Sequence, residues 1–510
     1  MKHISKTNIA LALILFSLLI ILSRIQAYDG LLGVDTVTYA IMGNELLEGR
    51  ALYSDLWDHK PPAIHLTFAA AQAMVGFGSQ SFFLLNVAVA ILILFGVYSA
   101  ASAGGRGPIT GLWAAAIWAV ISRQIYLGTD SPNTEEFINV CVIWAFALFL
   151  QAGEAFRDWK KVLIVGGLFA LASLYKPIAV VVAILFSLVY LLFPSVKSSK
   201  PFLHVSLMAA VGVGAWALTA GYFFSQNRFD DFSYAVFEFN RNYAGNLFQN
   251  LVSGLQLAHL FPKYLYPLSL LFIIASLGLL LSLRKGISRS QAMMAAYVLS
   301  VFIMISLPGK FFGHYYQLWL PVLSVATSWS LMSLSHVYRE NSQRMMKITG
   351  SVVLTIMIGI QLFNYTQYEN WWNKSNYGAY AVLKQLAIKI NTLLLPEETF
   401  HAWGSSVGLF YYTGRSPQTG LIATWIFKRG PQAPQFWERV KGELSSPPVE
   451  IMVVDSLSKR VIPNFNDVLS DYRRFPDNQN FRPFELYYLK GGALEERLSN
   501  NLHLSDNADG

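Results

Sequence analysis

Charge is what this sequence has least of: Asp, Glu, Lys and Arg make up 13% of its 510 residues, about half the share of an ordinary soluble chain. A water-soluble protein of this length needs charge to cover its surface, so a string of soluble domains is excluded. The same shortage excludes a disordered chain and a nucleic-acid-binding one, although the net charge is +8. Cysteine is nearly absent as well. The single Cys141 rules out an internal disulfide and a cysteine-based metal cluster. There is no repeat of fixed period and no low-complexity linker, which removes solenoids and tethered modules. What the sequence has instead is apolar length, with hydrophobic residues at 54%.

Runs of the length that spans a bilayer lie near 7–25, 81–101, 110–127, 136–153, 161–174, 178–193, 203–224, 263–283, 291–308, 315–333 and 347–365, eleven in all. The first follows Lys2 and Lys6 as a signal peptide would, but no small-residue cleavage site comes after it, so it reads as a retained anchor. The segment 61–77 starts with two prolines and reads as a juxtamembrane helix. Lys and Arg favour cytoplasmic loops. With the N-terminus inside, 14 of them fall on inner loops and 6 on outer loops before residue 366, so the expected orientation is N-in and C-out. The acids run the other way, since 12 of the 15 before residue 366 lie outside. Acids hardly influence topology, so their gathering on one face needs another cause.

From residue 366 the texture changes: 15 basic and 15 acidic side chains occur with no spanning run. Residues 450–456 and 484–492 read as strands and 377–394 as an amphipathic helix. The expected fold is an all-α polytopic membrane domain over 1–365, with about eleven transmembrane helices and juxtamembrane helices in an outer loop 26–77. A small soluble α/β domain follows over 366–510 on the outer side.

The chemistry sits in the outer loops. In the first, apolar residues recur at helical spacing from Thr36 to Leu47, with Asp35 at the expected N-cap. Capping alone accounts for an isolated Asp there. Six carboxylates in one loop beside a membrane suggest more, because a partly desolvated carboxylate has a raised pKa and suits general-base work. Asp58-His59-Lys60-Pro61-Pro62 ends the loop with two prolines that fix the backbone. Lys60 and, in Tyr175-Lys176-Pro177, Lys176 are outer cations where a lipid phosphate would lie, although snorkelling alone explains such lysines. Glu135 and Glu136 open a helix, where the dipole favours them. Lys310 and His314 sit among aromatics including Tyr315, and an interfacial aromatic belt explains the rings but not the two polar groups. Metal binding by Asp35, Glu135 or His314 would suit a hard divalent cation, but no ligand spacing is diagnostic.

The strings GVDTVTYAIMGNELLEGRALYSDLWDHKPPAIH (33–65), SPNTEE (131–136), LYKPIAV (174–180), GKFFGHYYQLWLPVL (309–323) and WGSSVGLFYYTGRSP (403–417) resemble, in that order, the bacterial GT-C glycosyltransferases. The branch is that of the dolichyl-phosphate-mannose protein mannosyltransferases and the lipid A aminoarabinose transferase. The resemblance implies a GT-C fold and an inverting transferase of the cytoplasmic (inner) membrane. A polyprenyl-phosphate-linked sugar would be the donor, and a hydroxyl of a lipid, glycan or protein the acceptor. It implies that Asp35 is catalytic and that Lys60, Lys310, His314 and Lys176 bind the donor phosphate. Asp58, His59, Glu135, Glu136, Tyr39 and Tyr315 would line the substrate pocket. Membrane lipids are expected partners and nucleic acid is not; no cofactor is required, with a divalent cation left open. The protein mannosyltransferases carry Asp-Glu where this chain has Asp35-Thr36, which speaks against a protein acceptor. Two other classes stand against the enzyme: a flippase for polyprenyl-linked glycans, expecting mid-span charges, and a membrane-anchored ligand-binding protein, which leaves the charged loops without a role.

Overall fold

The protein is seen in a computed structural model that describes residues 4–506 apart from 26, 29, 31, 105, 153–155, 157, 194–199, 284–285, 338–341, 375–377, 428–429, 462–464 and 477–480. Each of the eleven apolar runs contains a helix. In chain order the helices are α1 (Lys6–Ile25), α2 (Val34–Leu47), α3 (Ala63–Val75), α4 (Ser79–Ser102), α5 (Gly107–Ile121), α6 (Thr134–Gln151), α7 (Trp159–Tyr175), α8 (Val180–Leu192) and α9 (Pro201–Ser225). Then come the short α10 (Phe229–Ser233), α11 (Phe239–Ala244), α12 (Leu247–Gly254) and α13 (Leu257–Leu260), followed by α14 (Ser269–Leu283), α15 (Arg289–Ser306), α16 (Trp319–Val337) and α17 (Ser342–Lys374).

Seven of the described helices are both long and apolar enough to cross a membrane, against the eleven expected. The chain is a multi-pass membrane protein. The shortfall has local causes. Helix α5 has 15 residues and reaches about 22 Å at about 1.5 Å per residue, less than a hydrocarbon core of about 30 Å. Helix α8 is delayed by Lys176-Pro177 and a 3₁₀ turn. Helix α16 is unbroken over 19 residues, but its apolar run is diluted by hydroxyls that bond across the bundle: Ser328 donates to the Thr110 carbonyl (2.6 Å) and Thr327 to that of Leu271 (3.3 Å). Arg24, buried near the end of α1, donates to Asn86 Oδ1 (2.5 Å) and the Ser122 carbonyl (3.1 Å), which ties α1 to its neighbours.

After an amphipathic helix, α18 (Gly378–Leu393), the chain builds a four-stranded sheet from β1 (Phe400–Ala402), β2 (Ile451–Asp455), β3 (Tyr472–Arg474) and β4 (Phe484–Leu489) in the order β1-β2-β4-β3. β1 runs parallel to β2, with Phe400 opposite Ile451; the other pairs are antiparallel, with Ile451 opposite Tyr488. The two longer strands and α18 match the sequence reading. β1 and β3 have three residues each, too few for a period of two to register.

This α/β part does not close its core alone. Met42, Leu52, Leu56 and Trp57 from the first loop pack with Phe232 and Phe239, and with Trp403, Leu421, Phe436 and Trp437, in one buried cluster. Trp57 sits 5.1 Å from Phe239 and 5.3 Å from Phe436 between ring centroids. The backbones also meet, since Trp57 N–H donates to the Gly420 carbonyl at 3.3 Å. A Cβ on Gly420 would fall 1.9 Å from the Asp55 carbonyl oxygen. Gly420→Ala is therefore expected to lower the unfolding midpoint of the purified protein by the equivalent of roughly 1–3 kcal/mol, the usual range for overpacking. Differential scanning fluorimetry in detergent checks it. An unchanged midpoint would mean the first loop and residues 400–489 are not held together at this point.

Candidate active site

Helix α2 is capped by the extended backbone of Gly33 and by no side chain. Asp35 is therefore not the N-cap but sits inside the first turn, where the positive end of the helix favours a carboxylate. It is also not desolvated: its side chain is 49% exposed. The burial expected of it falls on Asp58, Glu135 and Glu136 instead, because Asp35 starts a helix at the open end of the bundle. Tyr39, one turn on and hence on the same face, is buried, and its hydroxyl has no hydrogen-bond partner among the described residues.

The loop from Ala51 to Pro62 is held by side chains that fix its carbonyls. Tyr53 Oη donates to the Lys60 carbonyl (2.8 Å), and Asn240 Nδ2 donates to that of His59 (2.6 Å). Asn240 follows a single π-helical turn (Tyr234–Glu238) and also bonds back to the Val236 carbonyl in it (2.9 Å). Within the loop Asp58 is buried between two imidazoles, with His59 Nδ1 3.0 Å from Oδ1 and His65 Nε2 3.3 Å from Oδ2. Burial pushes its pKa up, but the two histidines and the Lys60 charge outweigh that and hold it well below the usual carboxylate range. Lys60 Nζ reaches His59 Nε2 at 2.7 Å.

Asn133 caps α6 by accepting from Thr134 N–H, which leaves Glu135 and Glu136 in the first turn. Consecutive helical residues point about 100° apart, and these two separate. Glu135 pairs with Lys176 and accepts from Thr134 Oγ1 (3.0 Å). Lys176 Nζ lies 4.1 Å from the centre of the Tyr315 ring, a cation–π contact. Glu136 turns elsewhere, into a water-sized cavity that it lines with Arg24, Asn139 and Gln317. The structure thus sets Glu136 apart from the cluster around Glu135 and Lys176.

The loop before α16 turns through Phe311 at a φ of 51°. It sets His314 Nε2 3.8 Å from Asp35 Oδ2 and Lys310 Nζ 4.4 Å from the Tyr243 ring centre. Burial lowers the His314 pKa, against the pull of Glu135 and Asp35. One end of the bundle therefore gathers Asp35, Tyr39, Asp58, His59, Lys60, Glu135, Lys176, His314 and Tyr315, with Lys310 beyond Tyr243. Other acids in these loops have structural partners: Asp130 pairs with Arg123 (2.5 Å) and Glu45 with Arg50 (3.0 Å). Asp29 lies outside the described residues. Among the described residues no three His, Cys, Asp or Glu side chains come together as a metal-binding group.

Residues 59–217 match the family model for dolichyl-phosphate-mannose-protein mannosyltransferases. ArnT from Cupriavidus metallidurans, solved bound to undecaprenyl phosphate, superposes with a TM-score of 0.59 at 14% identity, over 96% of this chain and 99% of that one. The oligosaccharyltransferase of Archaeoglobus fulgidus, solved with a tethered acceptor peptide, gives 0.53 at 14% identity over 95% of this chain and 74% of that one. The archaeal AglB complex with an inhibitory peptide and a dolichol-phosphate gives 0.52 at 14%, over 91% and 72%. No curated protein matches the chain significantly. The family match and the shared fold agree. The chain has the GT-C fold of these enzymes.

The family match begins at His59, inside the loop that carries the protein's densest polar cluster. Several of that cluster's residues escaped the sequence reading. His65, fully buried on α3, completes the surroundings of Asp58, and its signal was the Asp58-to-His65 spacing across the diproline. Tyr53, Asn240 and Tyr243 carry no local signal, because what they touch is set by chain crossings far away in sequence.

The titrating groups give a pH dependence. His59 and His314 are pushed below their ordinary value of 6.5, mainly by burial. The unfolded chain then binds more protons just below that pH, and their contribution to stability is present above about 6.5 and lost as pH falls. Asp58 contributes above its ordinary value of 3.8 and loses that only in stronger acid. The unfolding midpoint should fall between about pH 7 and pH 5, less steeply in His314→Gln. Asp58→Ala should lower it at neutral pH by the equivalent of roughly 1–3 kcal/mol, through unmatched buried imidazoles. Fluorimetry across pH measures both, and a pH-independent midpoint would remove the buried histidines from the account.

Proposed function

We propose that this transferase moves a sugar from a polyprenyl-phosphate donor to a hydroxyl of a lipid, glycan or protein acceptor on the outer side of the cytoplasmic membrane, with inversion. One observation carries the reading: the half-exposed carboxylate of Asp35 lies 3.8 Å from His314 and shares one end of the bundle with Lys60 and Lys176. A carboxylate open to an incoming hydroxyl, facing cations that can take an anionic leaving group, is what a single displacement at a glycosyl phosphate needs. Asp35 accepts or orients the acceptor proton as the hydroxyl oxygen attacks the anomeric carbon. The bond from that carbon to the phosphate oxygen breaks on the opposite side, and one inversion follows. Charge then develops on the polyprenyl phosphate, and Lys60, Lys310 and His314 stabilise it. Lys176 joins them when it leaves Glu135. Tyr39 and Tyr315 line the sugar pocket with Asp58, His59 and Glu135.

The solved relatives hold undecaprenyl phosphate and a dolichol-phosphate, which supports a polyprenyl phosphate here. The excess of Lys and Arg on alternate loops supports N-in, C-out insertion, with residues 366–510 as the outer domain.

Asp35 caps nothing and is exposed, so Asp35→Asn should leave the unfolding midpoint within error. It should cut the turnover of the reconstituted transferase by roughly 10²–10⁴-fold, the range for losing a general base. Transfer is read in proteoliposomes with a radiolabelled polyprenyl-phosphoryl sugar, chosen by comparing envelope glycans and lipids from cells with and without the gene by mass spectrometry. A variant that keeps full turnover overturns the assignment of Asp35.

A further inference from the structure

The contact between His59 and Lys60 fixes a proton. Lys60 Nζ lies 2.7 Å from His59 Nε2. An ammonium has three donors and no acceptor, so Nε2 accepts and the ring proton of neutral His59 sits on Nδ1. That nitrogen lies 3.0 Å from Asp58 Oδ1, an oxygen that also accepts the His59 backbone N–H at 2.7 Å, and His65 Nε2 stands 3.3 Å from Asp58 Oδ2 in ion-pair range. The loop cannot easily shift, because the His59 and Lys60 carbonyls are bonded to Asn240 and Tyr53 and Pro61-Pro62 follows. One Lys60 N–H is thus spent on the imidazole and two remain for another acceptor. We infer that His59 is a positioning residue for the donor phosphate: the Asp58–His59–Lys60 relay holds the Lys60 ammonium in place, and protonation of His59 breaks it.

The inference rests on the reading of Lys60 as a phosphate-binding group. Protonated His59 would set an N–H against the ammonium at 2.7 Å, and the two side chains must part. The groups around His59 are Asp58 and Lys60 on its own loop, His65 on α3 behind Asp58, and Asp35 on α2. Asn240, Phe239 and Tyr243 face it from α11, with the Phe239 and Tyr243 rings 5.9 and 5.5 Å away. Asp58 and Asp35 favour the imidazolium, but burial and Lys60 outweigh them and keep the ring neutral at pH 7. A lysine supported by a neutral imidazole has no counter-charge to give up when a phosphate arrives, whereas one paired with a carboxylate does.

The test is binding of undecaprenyl phosphate to the full-length transferase in nanodiscs, at steps from about pH 8 to about pH 5. The wild type should weaken roughly tenfold toward acid beyond the titration of the phosphate itself. His59→Gln, whose amide can donate to Asp58 and accept from Lys60, should recover most of the neutral-pH affinity and lose the extra acid dependence. Both proteins see the same phosphate titration, so the difference between them isolates the imidazole. His59→Leu should bind roughly tenfold more weakly at every pH, with an unfolding midpoint near that of His59→Gln. If Lys60→Ala binds as tightly as wild type, Lys60 does not hold phosphate and the proposed function loses its donor site. If Lys60→Ala loses affinity while His59→Leu and His59→Gln both follow the wild type across pH, the phosphate assignment stands and the relay is wrong.

Discussion

The carboxylate of Asp58 is buried where an isolated charge would be neutralised by protonation, and the rest of the site is arranged around keeping it ionised. Two imidazoles do this, one from the adjacent residue and one from the first turn of α3. That requirement dictates the local chain path. Helix α3 must begin directly after the loop so that His65 comes back over Asp58. The two prolines that end the loop supply the fixed backbone for this entry. With Asp58 held, His59 is held, and through it the end of Lys60. A disturbance at one buried charge therefore reaches the exposed groups two residues away.

Several cations share a small volume here, and like charges at such range oppose one another. The structure separates them by partner. Lys176 is matched by Glu135 and the Tyr315 ring, and Lys310 lies against Tyr243. Lys60 alone among these three leans on an imidazole rather than a carboxylate or an aromatic face. Under the proposed reaction this difference has a use. A site with every cation tightly paired would have to break ion pairs to accept a phosphate. A site with none paired would repel itself when empty. Interleaving acids with bases keeps the empty state tolerable while leaving one strongly positive position for the anion.

Most of the membrane architecture is legible in the sequence, because apolar runs report burial and lipid contact directly. Where the reading failed, the cause was local geometry or distant contact. Asp35 looked like a cap because acids precede helices so often, yet the backbone of Gly33 takes that position and leaves the carboxylate exposed. Glu135 and Glu136 are neighbours in sequence and strangers in space, since a helix turns consecutive side chains apart. One joins the Lys176 cluster and the other faces Arg24 across a different cavity. His65, Asn240 and Tyr243 could not have been found by pattern, because their roles depend on which chain segments cross.

The α/β region takes its place in this argument through strain. Besides Asn227 after α9 (φ 55°), Tyr53 and Phe311 adopt positive φ, 74° and 51°, at a cost of order 1–3 kcal/mol for each such non-glycine residue. They lie in the two loops that present Lys60 and Lys310. Such conformations persist only when their surroundings over-determine them. Phe311 is stacked on His259, with ring centroids 3.9 Å apart. Tyr53 is fixed by its bond to the Lys60 carbonyl and by burial in the cluster that joins the first loop to Trp403 and Phe436. A sheet with two strands of three residues has little core of its own, so it borrows the apolar side of the loop. In return it clamps the strained residue that aims Lys60. That mutual dependence gives residues 400–489 a reason to sit against the site whatever else they bind.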